Sequence, residues 1–390
     1  MNWIPLLENA WLLIESDRIV DYGSMITCPE RADEVIDAAG RWLFPGWVDS
    51  HTHLVFAGSR EGEFEDRLRG MTYEAISARG GGILNSARRL AQTSETELLR
   101  DAHRHLREIA AQGTVAVEIK SGYGLSYAGE LKMLRVIRQL KTESRLAIKA
   151  TFLGAHALPL AYRQDRAAYL RLLVDELLPV IAAEGLADYI DVFCEKVAFT
   201  AAETERLLEA GAKYGLRPKI HTNQFNSMGG IDAALRHRAV SVDHLEVMMA
   251  DEIALLAQSD TVATLLPTAP FFLRDPYPPA RALVDGGACV ALASDFNPGS
   301  SPSGRMPFVV SLGCIACRLT PAEAINAATV NGAAALDWSD RFGSITPGRA
   351  ASFFLTRPLP SLAYLPYAFG TDLVTQTWIA GAPLSPPLSD

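Results

Sequence analysis

Eight short apolar runs rich in β-branched residues recur through the middle of the chain, and longer segments with helical patterning separate them. This alternation is typical of βα units around a parallel sheet, and eight parallel strands are the number that closes a barrel. We therefore predict an α/β fold, a (β/α)8 TIM-like barrel. The predicted strands are 46–53, 113–120, 147–154, 189–194, 218–221, 239–244, 262–267 and 288–295.

The segments between the predicted strands carry start signals for helices. Ser94 and Glu97 have the spacing of a capping box, in which each side chain accepts from a free backbone N–H at the start of a helix. Thr200 and Glu203 repeat this pattern, and a further helix is predicted to open at Thr320. The connections between strands are therefore predicted to be helical.

The two ends of the chain have a different pattern, in which short apolar runs alternate with polar turns. Neither end is long enough for a stable core of its own. We predict that residues 1–45 and 344–390 pair into one small β-sandwich domain formed from both termini, while residues 46–343 form the barrel. The short strands predicted before the barrel are 11–14, 19–22, 35–36 and 42–44.

Charge and cysteine content limit the partners and the compartment. The 390 residues include 45 acidic and 36 basic ones, for a formal net charge of −9, without a dense stripe of lysine or arginine. Nucleic acids and anionic membranes are therefore poor candidates for partners, and a small-molecule substrate is favoured. The five cysteines are widely spread, and the first residues lack the basic segment of a signal peptide, so a cytoplasmic location is expected.

Most of the histidines fall at the carboxyl ends of predicted strands, where the active sites of barrels are assembled. We therefore expect these side chains, together with an aspartate that ends the eighth predicted strand, to meet around one site. The members of this set are His51, His53, His156, His221, His244 and Asp295.

His51 and His53 are the most specific pair, because residues i and i+2 of a strand project to the same side and can bind one cation. His103 and His105 have the same spacing but lie in a predicted helix, where their side chains diverge by about 200°. We therefore predict that the second pair lies on a solvent-exposed helix surface. The alternative for the first pair is two hydrogen-bonded core imidazoles.

His221 and Asp295 would complete a site of three imidazoles and one carboxylate, with an open position for water. Nitrogen and oxygen ligands of this kind suit Zn²⁺ or Fe²⁺, and a metal of this type lowers the pKa of bound water from 15.7 towards about 7. The alternative for Asp295 is the N-cap of a helix.

Several motifs resemble those of one family. FPGWVDSHTHL at 44–54 resembles the opening of the barrel in the amidohydrolase superfamily. Further stretches, which run in order as far as about residue 348, narrow the resemblance to the imidazolonepropionases of histidine degradation. These stretches are LVFAGSRE at 54–61, GGGI at 80–83, EIKSGYG at 118–124, TFLGAH at 151–156, DVFCE at 191–195, DHLE at 243–246 and DFNPGSSP at 295–302.

The resemblance implies a hydrolase that acts on the C–N bond of a cyclic amide and opens 4-imidazolone-5-propanoate to N-formimidoyl-L-glutamate. It implies one metal ion, Zn²⁺ or Fe²⁺/Fe³⁺, and a homodimer, the commonest symmetric assembly. By matching motif, the implied metal ligands are His51, His53, His221 and Asp295. The residues implied to bind substrate are Arg60, Tyr123, His156, Asn297, Gly299 and Ser300, of which the arginine suits the propionate tail.

The hypothesis for catalysis assigns proton transfer to Asp295, which takes a proton from water and returns it to the leaving ring nitrogen, while His244 stabilises the developing oxyanion. Gln224 stands where many members of the family have a glutamate. Because an amide cannot act as a base, Gln224 is expected to orient water or substrate by hydrogen bonds. Lys120 ends the second predicted strand, whereas the carboxylated lysine of some related barrels lies on the fourth, so one metal and no carbamate are expected.

Two other functions stay open at this point. One is a different member of the superfamily, a deaminase or a hydrolase of another cyclic amide. The other is a noncatalytic barrel that serves as a scaffold, which would be expected to have lost metal ligands that this sequence keeps.

Overall fold

A computed structural model of the chain describes residues 3–38, 40–71, 75–76 and 79–384. The strands, in chain order, are β1 (Ala10–Glu15), β2 (Arg18–Ser24), β3 (Leu43–Pro45), β4 (Trp47–Asp49), β5 (Thr114–Lys120), β6 (Ala147–Ala155), β7 (Tyr189–Cys194), β8 (Arg217–Thr222), β9 (Ser241–His244), β10 (Val262–Leu265), β11 (Val290–Leu292), β12 (Phe353–Thr356), β13 (Val374–Ile379) and β14 (Ala382–Pro383).

Helices fill the connections. They are α1 (Glu61–Leu68), α2 (Ile83–Gln92), α3 (Glu95–Ala111), α4 (Tyr127–Glu143), α5 (Arg166–Arg171), α6 (Leu178–Glu184), α7 (Ala201–Ala212), α8 (Gly230–Arg236), α9 (Ala250–Ala257), α10 (Thr268–Leu273), α11 (Ala280–Gly286), α12 (Met306–Ile315), α13 (Pro321–Ala328), α14 (Val330–Ala334) and α15 (Tyr364–Tyr367). Short 3-10 helices span Met25–Thr27 and Leu160–Tyr162, and a π-helical turn, Leu172–Leu177, joins α5 to α6.

Strands β4 to β11 form one parallel sheet in sequential order, as the eight apolar runs predicted. Beyond β4 and β11 the backbone closes the sheet into a barrel. The N–H of Asp295 donates to the carbonyl of His51 at 3.0 Å, and the N–H of His53 donates to the carbonyl of Phe296 at 2.9 Å. The (β/α)8 prediction is confirmed, and the segments that close the barrel are the ones that carry predicted metal ligands.

The capping boxes are also confirmed. The side chain of Ser94 accepts from the N–H of Glu97, and the carboxylate of Glu97 accepts in return at the start of α3. The same reciprocal bonds open α7 at Thr200 and α13 at Thr320. Each box satisfies two N–H groups that the first turn of a helix leaves free, which sets where these helices begin.

Both ends of the chain contribute to two small antiparallel sheets. Strand β3 joins β12, β13 and β14 in one sheet, and β1 pairs with β2 in the other. Ile19, Ala351 and Phe353 are buried between them, which gives the predicted sandwich its own apolar cluster. The domain boundaries at 45/46 and 343/344 stay predictions, and residues 385–390 of the predicted domain lie outside the described part of the chain.

Two sequence predictions are wrong. The strand expected at 35–36 is not formed, and Val35 is 83% exposed there, because two apolar residues among polar ones offer too little surface to hold a strand against the sheet. His105 is buried rather than solvent-exposed. Its Nδ1 lies 3.1 Å from the carbonyl oxygen of Leu54, and its ring stacks on Phe56, so α3 packs this residue against the chain that follows β4.

The burial of His105 predicts a pH dependence of stability. Burial lowers the pKa of His105 below 6.5, so the folded protein holds the imidazole neutral, whereas the unfolded chain protonates it. The contribution of His105 to the free energy of unfolding is therefore fully present above about pH 6.5 and is lost as the pH falls. In urea titrations of metal-free protein between pH 6.5 and 5, we expect His105→Phe to reduce the fall in unfolding free energy by up to about 1.4 kcal/mol per pH unit. Equal slopes for the variant and the wild type would contradict this prediction.

Among the described residues, no helix combines the length and the apolar character needed to cross a membrane.

The homodimer stays a prediction.

Candidate active site

One cavity opens at the carboxyl ends of the barrel strands and collects the residues predicted for the site. His51 is fully buried just after β4, and the others line the cavity. The lining members of the predicted set are His53, Arg60, Tyr123, His156, His221, Gln224, His244, Asp295, Asn297, Gly299 and Ser300. The fold therefore brings together side chains that lie as far apart in the chain as β4 and the turn after β11.

Four of these side chains converge inside the barrel. Nε2 of His53 lies 3.4 Å from Nε2 of His221. One carboxylate oxygen of Asp295, Oδ1, lies 3.6 Å from Nε2 of His51 and 3.7 Å from Nε2 of His53. The three imidazoles are close enough to share a single metal ion.

These spacings fit a metal ion. Two ligand atoms that bind one ion at about 2.1 Å and at a tetrahedral angle lie about 3.4 Å apart, which is close to the distances observed here. Burial lowers the pKa of all three imidazoles well below 6.5, so each ring is neutral and keeps a lone pair. Nε2 of His51 is buried and has no hydrogen-bond partner among the described residues, as expected of a nitrogen that binds a cation.

Two aspartates lie behind the imidazoles. Oδ2 of Asp243, on β9, lies 2.6 Å from Nδ1 of His51. Oδ2 of Asp191, on β7, lies 2.9 Å from Nδ1 of His221, although the angle at this contact is outside the range of a hydrogen bond. Oδ1 of Asp191 accepts from the backbone N–H of His221 at 3.2 Å. Carboxylates in these positions keep the proton on Nδ1 and leave the lone pair of Nε2 for a metal.

His244 and Asp295 both leave their strands with left-handed backbone angles, φ 89° and 52°, which non-glycine residues rarely adopt. Burial opposes a charge on His244, but Glu246, whose carboxylate lies 3.3 Å from Nδ1, raises the pKa of the imidazole above 6.5. Burial raises the pKa of Asp295 to about 6, although His244 acts in the opposite direction. The two groups can therefore serve as a proton donor and a proton acceptor near neutral pH.

Arg60 lies at the wall of the cavity and is nine-tenths buried. Its Nε and Nη2 donate to Oε2 of Glu63, one turn along α1, at 2.9 and 2.8 Å. A Cβ at Gly299 would collide with Nη1 of Arg60 in its present position, so the glycine leaves room for the guanidinium beside the turn after β11. Arg67, a further turn along α1, donates to the carbonyl oxygen of Gly299 at 3.3 Å.

The remaining predicted binding residues surround the same space. The ring of His156 stacks on His53 at 4.9 Å between centroids, and burial lowers the pKa of His156 to about 4. Tyr123 lies beside both rings. Gln224 is half-buried at the cavity wall, and the next two backbone N–H groups donate to Oε1 of the buried Glu195, which fixes the loop that carries the amide.

The side chain of Asn297 forms hydrogen bonds within the turn that follows β11. Its Oδ1 accepts from the N–H groups of Gly299 and Ser300, and its Nδ2 donates to the carbonyl oxygen of Asp295. The hydroxyl of Ser300 donates to Oδ2 of Asp295 at 3.1 Å. The polar atoms of Asn297 therefore shape the turn that presents Gly299 and Ser300 to the cavity.

Residues 42–383 match the model of the amidohydrolase family. An imidazolonepropionase of Christiangramia forsetii is 53% identical over 98% of this chain and 93% of its own length. The chain belongs to the imidazolonepropionase family. Another member, from Pseudomonas putida, is 44% identical over 94% of each chain. As a member of this family, the protein is a hydrolase that acts on C–N bonds.

More distant proteins share the fold of this imidazolonepropionase family member. A 5-methylcytosine deaminase from Klebsiella pneumoniae has a TM-score of 0.77 at 16% identity, with 97% of this chain and 94% of that chain covered. An adenosine deaminase from Xanthomonas campestris, solved with bound zinc, has a TM-score of 0.69 at 19% identity, with 97% and 88% covered. At these identities the likeness shows the fold alone.

Some residues of the site were not predicted from the sequence motifs that resemble the imidazolonepropionase family. Glu63 and Arg67 line the cavity, and their spacing of three and seven residues from Arg60 on one helix was the signal that would have found them. Asp191 and Asp243 lie within quoted motifs at strand ends, but nothing local in the sequence pairs them with particular histidines.

Proposed function

We propose that the protein hydrolyses 4-imidazolone-5-propanoate to N-formimidoyl-L-glutamate, a step in the degradation of L-histidine. The observation that carries the proposal is one cavity with a three-histidine, one-aspartate cluster inside the barrel and a buried guanidinium, Arg60, at its wall. A deaminase would share the cluster, whereas the arginine favours a substrate with a carboxylate tail. Relatives at 39–53% identity named imidazolonepropionase support the same substrate.

The metal proposed for this site is one divalent ion, zinc or iron, held by His51, His53, His221 and Asp295. A buried ion network lies behind these ligands, and Asp295 adds a further buried carboxylate that faces the imidazoles, which suits a cation at the cluster. The members of the network are Glu118, Asp191, Asp243, Lys120 and Lys219. Zinc and iron both accept imidazole and carboxylate ligands, and either ion would acidify a bound water and polarise the amide carbonyl.

Arg60 would hold the propionate tail. The guanidinium uses Nε and Nη2 for Glu63, and Nη1 lies on the side of the cavity that the turn at Gly299 approaches. Glu63 is itself fixed by the N–H of Gly82 and the amide of Asn85, at 2.8 to 3.2 Å, so the guanidinium is held in one orientation before substrate enters. A tail bound here directs the ring towards the imidazole cluster.

Proton transfer is assigned to Asp295. Its Oδ1 faces the imidazoles and its Oδ2 accepts from Ser300, so the carboxylate lies between the imidazole cluster and the turn after β11. In the proposed reaction Asp295 takes a proton from the attacking water and delivers it to the ring nitrogen when the C–N bond breaks. His244, held by Glu246, donates a hydrogen bond to the carbonyl oxygen as negative charge develops.

Gln224, Tyr123 and His156 are proposed to fix the ring. An imidazolone ring presents donors and acceptors around its edge, and an amide can match either kind. The stacked pair of His53 and His156 provides a flat surface next to the cluster, which suits a planar ring. Gln224 orients the ring or water without exchanging a proton.

The test is to incubate the protein with freshly made 4-imidazolone-5-propanoate and follow the loss of ring absorbance in the ultraviolet. We expect the ring absorbance to disappear completely, with one active site for each bound metal ion. No loss of absorbance is expected after chelation, and activity should return when zinc or iron is added back. Ammonia release would indicate a deaminase instead. Intact substrate together with no stoichiometric metal would favour the scaffold alternative.

A further inference from the structure

Lys120, at the end of β5, carries an ammonium group in the interior of the barrel with no exposed surface. Its Nζ lies 2.7 Å from Oε1 of Glu118, 2.7 Å from Oδ2 of Asp191 and 3.5 Å from Oδ2 of Asp243. Burial opposes the positive charge, but these three carboxylates raise the pKa of Lys120 above its ordinary value. The three carboxylates therefore favour the charged form of Lys120.

The two aspartates that Lys120 contacts are the ones behind the metal-binding imidazoles. The Oδ2 atom of Asp243 that faces Lys120 also lies 2.6 Å from Nδ1 of His51. The Oδ2 atom of Asp191 that faces Lys120 also lies 2.9 Å from Nδ1 of His221. One ammonium group thus connects the carboxylates that support two histidines from different strands.

We propose that Lys120 is a positioning residue for the metal site, because it holds Asp191 and Asp243 in the positions that orient His51 and His221. The proposal rests on the metal site of the proposed function. Lys120 acts through the aspartates, which lie between its ammonium group and the imidazoles, so it binds neither metal nor substrate.

The physical reason is the cost of two neighbouring carboxylates in a buried site. Without the ammonium group, Asp191 and Asp243 would repel each other in a region from which water is excluded, and one of them would turn away from its present position. Its histidine would then lose the acceptor at Nδ1, so the tautomer with a free lone pair at Nε2 would no longer be enforced. Metal affinity is the property that this loss changes most directly.

Lys219 provides a matched control. Its ammonium group is equally buried, and it also pairs with Glu118, but through the other carboxylate oxygen. It also donates to the carbonyl oxygens of Ser50 and Ala335, at 3.1 and 3.4 Å, and lies 5.5 Å from the ring centroid of Tyr189. Lys120→Met and Lys219→Met therefore each remove one buried charge from the same network, and only the first removes the contact with the two aspartates.

The experiment measures the affinity of the full-length protein for Co²⁺, a probe whose visible absorption also reports the geometry of its ligands. Chelator competition gives the dissociation constant for wild type, Lys120→Met and Lys219→Met, with circular dichroism to confirm that each is folded. We expect Lys120→Met to weaken Co²⁺ binding by about 10- to 100-fold and to change the absorption band. The dissociation constant of Lys219→Met for Co²⁺ is expected within about threefold of wild type, since Asp191 and Asp243 keep their contacts with the imidazoles.

Equal dissociation constants for the two lysine variants would overturn the role of Lys120. If Lys120→Met does not fold, the comparison moves to Glu118→Gln/Lys120→Met against Glu118→Gln, because removing a carboxylate and an ammonium group together leaves the net charge of the buried network unchanged. A difference of about 10- to 100-fold is expected there as well. Failure of wild type to bind stoichiometric Co²⁺ would instead contradict the proposed metal site, so the two failures are distinguishable.

Discussion

Asp295→Asn is expected to lower kcat by about 1,000-fold, within the range for loss of a general acid–base group. Asparagine has nearly the same shape and keeps an oxygen that can face the imidazoles, as Oδ1 of Asp295 does at 3.6 and 3.7 Å. It cannot accept the proton of the attacking water. The measurement is steady-state hydrolysis of 4-imidazolone-5-propanoate, with kcat expressed per bound metal ion so that weaker metal binding is counted separately.

Asp188→Asn is the matched control for this substitution. Asp188 precedes β7, at the opposite end of the barrel strands, where its carboxylate accepts from the N–H of Ala150 and pairs with Lys141. We expect kcat of this variant within about twofold of wild type, as for a surface change away from the site. A kcat per metal ion of Asp295→Asn within tenfold of wild type would exclude proton transfer by Asp295.

Arg60→Met is expected to lower kcat/KM by about 30- to 5,000-fold, mainly through KM, because a charged hydrogen-bonded pair of this kind is worth about 2 to 5 kcal/mol. The loss has two sources. The carboxylate tail loses its guanidinium, and Glu63, which now pairs with Arg60 at 2.8 Å, is left at the cavity wall with a charge that repels the tail. Replacement of Glu63 by glutamine in the same variant should therefore recover part of the loss.

Arg69→Met is the control for Arg60→Met. Arg69 also pairs with a glutamate of α1, Glu65, but both side chains are largely exposed, 68% and 60%. The two variants change the net charge equally, and each replaces a residue that flanks α1, so only Arg60→Met should alter KM. A substrate analogue without the carboxylate should lose no further affinity in Arg60→Met. A KM of Arg60→Met equal to that of Arg69→Met would rule out Arg60 as the group that binds the tail.

Much of the candidate site was predictable because its signals are local. Strand ends in a parallel barrel meet at one face, so the histidines at 51, 53, 221 and 244 could be placed together without knowledge of any contact. The pair at 103 and 105 shows the limit of the same reasoning. Helical geometry correctly separates their side chains, but which side of α3 faces the barrel depends on packing, and His105 faces Leu54 and Phe56.

The contacts behind the site show a second limit. His51 and Asp243 are 192 residues apart in the chain, yet Nδ1 and Oδ2 are 2.6 Å apart in the barrel. Nothing in either motif selects the other as a partner. From the sequence, Lys120 is assigned no role beyond the expectation that it carries no carbamate, whereas the closed barrel gives its ammonium group two aspartates from two other strands.

The sequence by itself determined the barrel, the order of its strands, the helix starts and the set of residues at the strand ends. These depend on the periodicity of apolar side chains and on capping, which act over a few residues along the chain. Only the tertiary structure decided which carboxylate supports which imidazole, that Arg60 and Glu63 lie at the wall of the cavity, and that Lys120 joins two aspartates. Such pairings depend on distances across a closed barrel, where burial makes each unpaired charge costly and so selects the arrangement in which the charges meet.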